Sequence, residues 1–214
     1  MTTPVLTARV GMNAPLLADI LRLYVPDGAR VLDVTYGKGH FWAHPGLRER
    51  YRVTGCDLEL AADLRADLRA LPVRCGAVDV VVLDPPYANN GGARDASHRG
   101  VATTYNLQPG SSHDWIWQLY AAGMREAARV LASRGVLVVK CQDQVESGRQ
   151  RWMHLRVMEY AARLGFEAED LFVLVQRNRP VMRHAHQVHA RKNHSYFLVF
   201  RAPARTPVAQ ERLL

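Results

Sequence analysis

Hydrophobic residues change their spacing several times along the 214-residue chain. Residues 14–24 place Leu16, Leu17, Ile20, Leu21 and Tyr24 at helical intervals and stop at Pro26-Asp27-Gly28, which predicts an amphipathic helix. Residues 30–34 (RVLDV) read as a short buried strand, residues 51–56 as a second strand ending at Asp57, and residues 58–71 as a helix. Residues 78–83 (VDVVVL) form a continuous apolar run, the mark of a strand covered on both faces. After a long Gly/Asn/Ser-rich stretch, a helix is expected from Asp114 to about Ala132, then a buried strand over 135–140 and a helix over 149–164. Residues 170–176 and 195–201 are the last two strands. No helical pattern separates them, so they should pair as an antiparallel hairpin, and residues 202–214 read as a tail. Strands alternating with helices predict a mostly parallel α/β sheet.

Composition narrows the class. A chain of 24.0 kDa with 48% hydrophobic and 22% charged residues suits one ordinary domain with a substantial core. No run of 18 apolar residues occurs, and residues 1–11 lack a charged-then-apolar leader, so a cytoplasmic protein without a membrane span is expected. Cys56, Cys75 and Cys141 are too few and too scattered for a disulfide framework. Charge is unevenly divided. Residues 1–87 carry ten Lys/Arg and ten Asp/Glu, whereas residues 88–214 carry eighteen against ten, which is the whole net +8. A basic half of this kind suits an acidic partner such as nucleic acid.

The first predicted strand runs into Thr35-Tyr36-Gly37-Lys38-Gly39, with two glycines where backbone would approach a ligand closely. Asp57 ends the next strand about twenty residues on, the spacing at which a carboxylate can take both hydroxyls of a ribose. NAD, nucleotides and S-adenosylmethionine all remain open on this pattern. The absence of G-x-x-x-x-G-K-[ST] excludes a phosphate-loop role for Lys38.

The strand over 78–83 ends in Asp84-Pro85-Pro86-Tyr87. Two prolines stop the strand and supply no N–H, leaving nearby carbonyls to accept hydrogen bonds from something else. An aspartate, a rigid carbonyl and an aromatic plane suit a planar group that bears an amino substituent. Such an arylamine is a poor nucleophile. Accepting from both its N–H groups frees the nitrogen lone pair for in-line attack on a methyl sulfonium, and a base must leave its duplex to reach the corner.

The tetrapeptide resembles the D-P-P-Y signature of S-adenosylmethionine-dependent DNA amino-methyltransferases, the adenine-N6 and cytosine-N4 family. The likeness runs from about Asn13 to Arg201 and includes VLDVTYGKG, GCDLE and ADLRALP. It implies a Rossmann-like class I methyltransferase fold: a seven-stranded, mostly parallel sheet with a C-terminal antiparallel hairpin, in one domain over 1–201. It also implies that Asp33, Gly37 and Gly39 hold the cofactor's methionine part, Asp57 its ribose and Asp67 its adenine, with Asn13 and Thr35 beside them. Asp84 with the Pro85 carbonyl would then receive the target amine, held on the stiff Pro85-Pro86 corner, and Tyr87 would stack on the flipped base. The motif favours adenine N6 in double-stranded DNA; cytosine N4 and the adenine or guanine amines of ribosomal or transfer RNA are the alternatives. Thr35 stands where the family usually has Gly or Phe, and Lys38 replaces a more usual small residue.

No separate recognition domain fits, so target reading falls to loops. Residues 88–113, with Arg94 and Arg99, follow the catalytic strand. Residues 177–194 would emerge on the same edge, and Arg177, Arg179, Arg183, Arg191 and Lys192 there suit phosphate contacts. His184, His186, His189 and His194 are too loosely spaced, with no cysteine nearby, to imply a metal, and none is expected. Lys140, Gln142 and Asp143 end a predicted strand on the ligand edge, where they either line the target pocket or cap a turn.

Overall fold

The computed structural model describes residues 4–58, 62–85, 113–146, 148–176 and 187–204. Its centre is an eight-stranded sheet. The strands in chain order are β1 (Ala8–Val10), β2 (Arg30–Asp33), β3 (Arg52–Asp57), β4 (Leu64–Arg65), β5 (Val78–Leu83), β6 (Leu131–Cys141), β9 (Glu167–Val175) and β10 (His194–Arg201). A separate two-stranded hairpin pairs β7 (Gln144–Glu146) with β8 (Arg149–Arg151). Spatial order in the sheet is β1-β9-β10-β6-β5-β2-β3-β4, with β10 alone antiparallel to its neighbours. This is the Rossmann-like methyltransferase architecture, and the β9–β10 pair is the expected antiparallel hairpin.

Alternation along the central strands explains why their sequences are apolar throughout. Leu32, Val81, Leu83, Leu137, Val139 and Leu198 face helices α3 (His113–Val130) and α4 (Met153–Arg163). Val31, Val80, Val82, Val136, Val138 and Val199 face the other way, onto α1 (Asn13–Tyr24) with Phe41 and Trp42. Both faces are therefore dry, as parallel sheets require. A four-residue helix, α2 (Leu47–Arg50), leads into β3.

Three expectations need correction. The sheet has eight strands, not seven, because β1 adds an exposed edge parallel to β9. Its three residues carry no hydrophobic pattern; backbone bonds such as Val173 N–H to the Thr7 carbonyl (2.7 Å) hold it. Described residues within 58–71 form no helix. Leu64, Leu68 and Leu71 sit at helical spacing, yet they reach the core from β4 and a turn. Aspartates divert the backbone there: Gly55 N–H donates to Asp63 Oδ2 (2.7 Å) and Arg69 N–H to Asp67 Oδ1 (2.8 Å). Such local bonds compete with helix formation. Finally, the helix expected over 149–164 starts at Met153, because residues 149–151 are drawn into β8.

Candidate functional site

The strand order reverses between β2, which continues outward to β3, and β5, which continues to β6 on the other side. The crevice beyond the carboxyl ends of β2 and β5 is where open α/β sheets bind ligands. Asp33 closes β2 there, and Asp84 follows β5 directly.

Gly37 and Gly39 turn the chain with φ of +55° and +70°, conformations that side chains rarely adopt. Gly37 N–H donates to Asp57 Oδ2 at 3.0 Å, so the end of β3 is fastened to the glycine turn. The Tyr36 ring lies over this turn, and a Cβ on Gly39 or Gly55 would collide with it at 2.6 or 2.4 Å. Its hydroxyl is hydrogen-bonded to the Arg48 guanidinium. The need for Gly55 could not be read from its own segment, because it is imposed by a tyrosine from another loop.

Asp33 is 1% exposed and accepts from Trp42 Nε1 (2.8 Å), Thr35 N–H (3.0 Å) and the Thr35 hydroxyl (3.3 Å). Burial still dominates and raises its pKa to about 6, against the lowering effect of those donors. The Thr35 hydroxyl also accepts the Asp84 N–H at 2.7 Å. Thr35 is thus the physical link between the glycine turn and the Asp84-Pro85 corner.

Asp84 keeps 19% of its side chain exposed and forms an ion pair with Lys140, whose side chain is 3% exposed. Burial raises the Asp84 pKa, and Lys140 acts in the opposite direction. Pro85 is buried, and its carbonyl lies 3.5 Å from the hydroxyl of Tyr120, which donates to the Lys140 carbonyl at 2.9 Å. The corner is therefore braced from below by α3 and laterally by β6.

Other expected site residues fall into four groups. Asp67 stands after β4, but its carboxylate is engaged by Arg69 at 2.6–3.0 Å, which holds its pKa down. An adenine contact at Asp67 would have to compete with this guanidinium. Asn13 opens α1 just beyond β1, and among the described residues no hydrogen bond joins its side chain to the glycine turn. Arg191 is exposed, and Lys192 Nζ lies 5.4 Å from the centre of the exposed Trp152 ring. Pro86, Tyr87, Arg94, Arg99, Arg177, Arg179 and Arg183 lie outside the described residues, as do His184 and His186.

The pair of alternatives for the end of β6 divides by residue. Lys140 joins the corner. Gln142 donates to the His194 carbonyl (2.8 Å), and buried Asp143 accepts from the His154 N–H at the start of α4 (3.3 Å), with His154 Nδ1 at 2.8 Å and the Tyr196 hydroxyl at 3.3 Å. Asp143 is a cap. Among the described residues no cluster of three His, Cys, Asp or Glu could hold a metal ion, and no helix is long and apolar enough to cross a membrane.

Comparisons with known proteins support this architecture. A SAM-dependent methyltransferase from Methanosarcina mazei superposes with a TM-score of 0.52 at 11% identity, over 87% of this chain and 98% of that one. TrmN from Thermus thermophilus gives 0.55 at 19% identity over 87% of this chain and 48% of its own length. The [4+2]-cyclase SpnF gives 0.53 at 18% identity over 88% of this chain and 81% of that one. At such identities the likeness is one of fold. No protein-family model matches the chain, and no curated protein matches it in sequence.

Proposed function

We propose that the protein is an S-adenosylmethionine-dependent methyltransferase that modifies an exocyclic amine of a nucleic-acid base, with adenine N6 in double-stranded DNA as the favoured target. The observation that carries this reading is the Asp84-Pro85 corner, tied through Thr35 to the Asp33 end of the glycine turn. The residues suit the cofactor: positive-φ glycines allow close backbone approach, Asp57 is oriented beside them, and buried carboxylates favour a cationic ligand. When bound, the cofactor supplies an electrophilic methyl group on a sulfonium.

Asp33, Gly37 and Gly39 would hold its methionine part and Asp57 its ribose. Asp84 would accept one N–H of the target amine and the Pro85 carbonyl the other, which would orient the nitrogen toward the cofactor side of the crevice. With the cofactor bound there, its sulfonium would supply the methyl group to that nitrogen and be left as the neutral thioether. The amine's surplus proton passes to water. Tyr87 would stack on the flipped base, and Pro86 would stiffen the turn that presents it. Arg94, Arg99, Arg177, Arg179, Arg183, Arg191 and Lys192 are assigned to backbone phosphates.

Labelled cofactor, incubated separately with DNA and RNA pools and followed by nucleoside mass analysis, tests the proposal. N6-methyladenine from the DNA pool is the expected product. Methylated RNA adenine or guanine, or N4-methylcytosine, would move the target; no methylated nucleoside from either pool would refute the proposal.

A further inference from the structure

Lys140 is nearly inaccessible, although lysine is rarely buried without a partner. Its Nζ lies 3.0 and 3.3 Å from the two Asp84 carboxylate oxygens. The rings of Phe41 and Phe197 stand 5.7 and 6.0 Å from the same nitrogen. Its backbone is pinned by the Tyr120 hydroxyl on its carbonyl and by pairing with Phe197 in β10. The ammonium is thus boxed by aromatic faces and aimed at one carboxylate.

We infer that Lys140 is a positioning residue that holds Asp84 as a fixed, ionised acceptor for the target amine. This rests on the methyl-transfer reading above. An ionised carboxylate only accepts hydrogen bonds, whereas a protonated one would present an O–H to an amine that needs to donate. Burial favours the protonated form of Asp84. The other titratable groups facing it among the described residues are Asp33 from β2 and Cys141 from β6, with Tyr120 below the corner, and none of these brings positive charge. Lys140 therefore sets the ionisation. A carboxylate paired in this way is also a weak base, which sends the product proton to solvent.

The test compares wild type, Lys140→Met and Lys140→Arg by two readouts: titration of the Asp84 carboxyl by NMR with carbon-labelled aspartate, and the pH profile of single-turnover methyl transfer. In Lys140→Met the Asp84 midpoint and the acid limb of the profile should both move up by about one pH unit or more, with much of the rate recovered at alkaline pH. Lys140→Arg should stay near wild type. An unmoved Asp84 midpoint, or a rate lowered by the same factor at every pH, would overturn the inference. If wild type methylates no nucleic acid, the functional reading fails, and the carboxyl titration still decides the role of Lys140. Should Lys140→Met not fold, Asp84→Asn is compared with Asp84→Asn/Lys140→Met. The double variant should melt higher because it removes a buried ammonium that has lost the Asp84 charge, and the reverse order would count against the pairing.

Discussion

Replacing Thr35 by valine removes one hydroxyl while keeping the side chain's shape. In the structure that hydroxyl accepts the Asp84 N–H at 2.7 Å and donates to Asp33 Oδ1 at 3.3 Å. Val34 N–H reaches the Val82 carbonyl at 3.1 Å, so the bond at Asp84 is the next rung beyond the β2–β5 ladder, made by a side chain. A stranded buried donor costs about 1–3 kcal/mol. Thr35 is only half-buried, so water compensates in part and the lower range applies, ~1–2 kcal/mol. Asp33 loses little, since Trp42 and the Thr35 N–H remain. For a domain of this size that loss lowers Tm by about 2–8 °C. The activity effect should be larger, because misplacing a reacting group by about 1 Å can cost ~100-fold in rate. Thermal unfolding followed by circular dichroism gives the first quantity and single-turnover methyl transfer the second. Thr35→Ser should recover most of both. A valine variant equal to wild type in melting and turnover would refute the link, and a serine variant as damaged as valine would assign the role to the methyl group.

Asp84→Ala should abolish methyl transfer while leaving cofactor affinity, measured by calorimetry, nearly unchanged; lost affinity would show that Asp84 serves the cofactor instead. Trp42→Phe removes a donor that only ionised Asp33 needs. The folded pKa of Asp33 is raised to about 6, so its ionisation costs stability as pH rises through that value. The stability deficit of Trp42→Phe should therefore be about 1–3 kcal/mol larger at pH 8 than at pH 5, and equal deficits in urea melts at the two pH values would contradict this. Replacing Arg191 and Lys192 together by alanine should weaken nucleic-acid binding and lower its salt slope by about 0.9 for each phosphate no longer neutralised. An unchanged slope would remove these two residues from the interface.

The sheet does not by itself decide the chemistry. The same fold is found in a [4+2]-cyclase and in methyltransferases, so the reaction must be set by what stands at the switch point. Among the described residues here, two carboxylates stand together, buried Asp33 and partly buried Asp84, and one ammonium, Lys140, is paired with the second. At neutral pH that leaves an excess of negative charge in a poorly solvated crevice, where a cationic ligand gains more than a neutral one of the same shape. The glycine turn supplies room, and Asp84 with the Pro85 carbonyl supplies acceptors. Each of these features occurs alone in many proteins, and their convergence on one crevice distinguishes this site.

What could be read from the sequence was what each segment carries within itself. The run over 78–83 declared a strand dry on both sides because every position is apolar or near an end, and Asp84-Pro85 declared where it stops. Gly37, Gly39 and Asp57 were legible for the same reason: backbone freedom and a carboxylate at a strand end are local properties. Residues 58–71 misled because leucines at helical spacing satisfy a helix and a strand-plus-turn equally well, and aspartates at 63 and 67 settled the choice through bonds to the backbone. Thr35, Trp42, Tyr120, Gly55 and Lys140 owe their roles to partners from other elements, at distances along the chain from 2 to 56 residues. Lys140 illustrates the point: as the last but one residue of an apolar strand it could equally have snorkelled to water or lined a pocket. Only the alignment of β6 beside β5, with Val139 opposite Leu83, brings its ammonium to the aspartate that follows β5, and that register is a property of the assembled sheet.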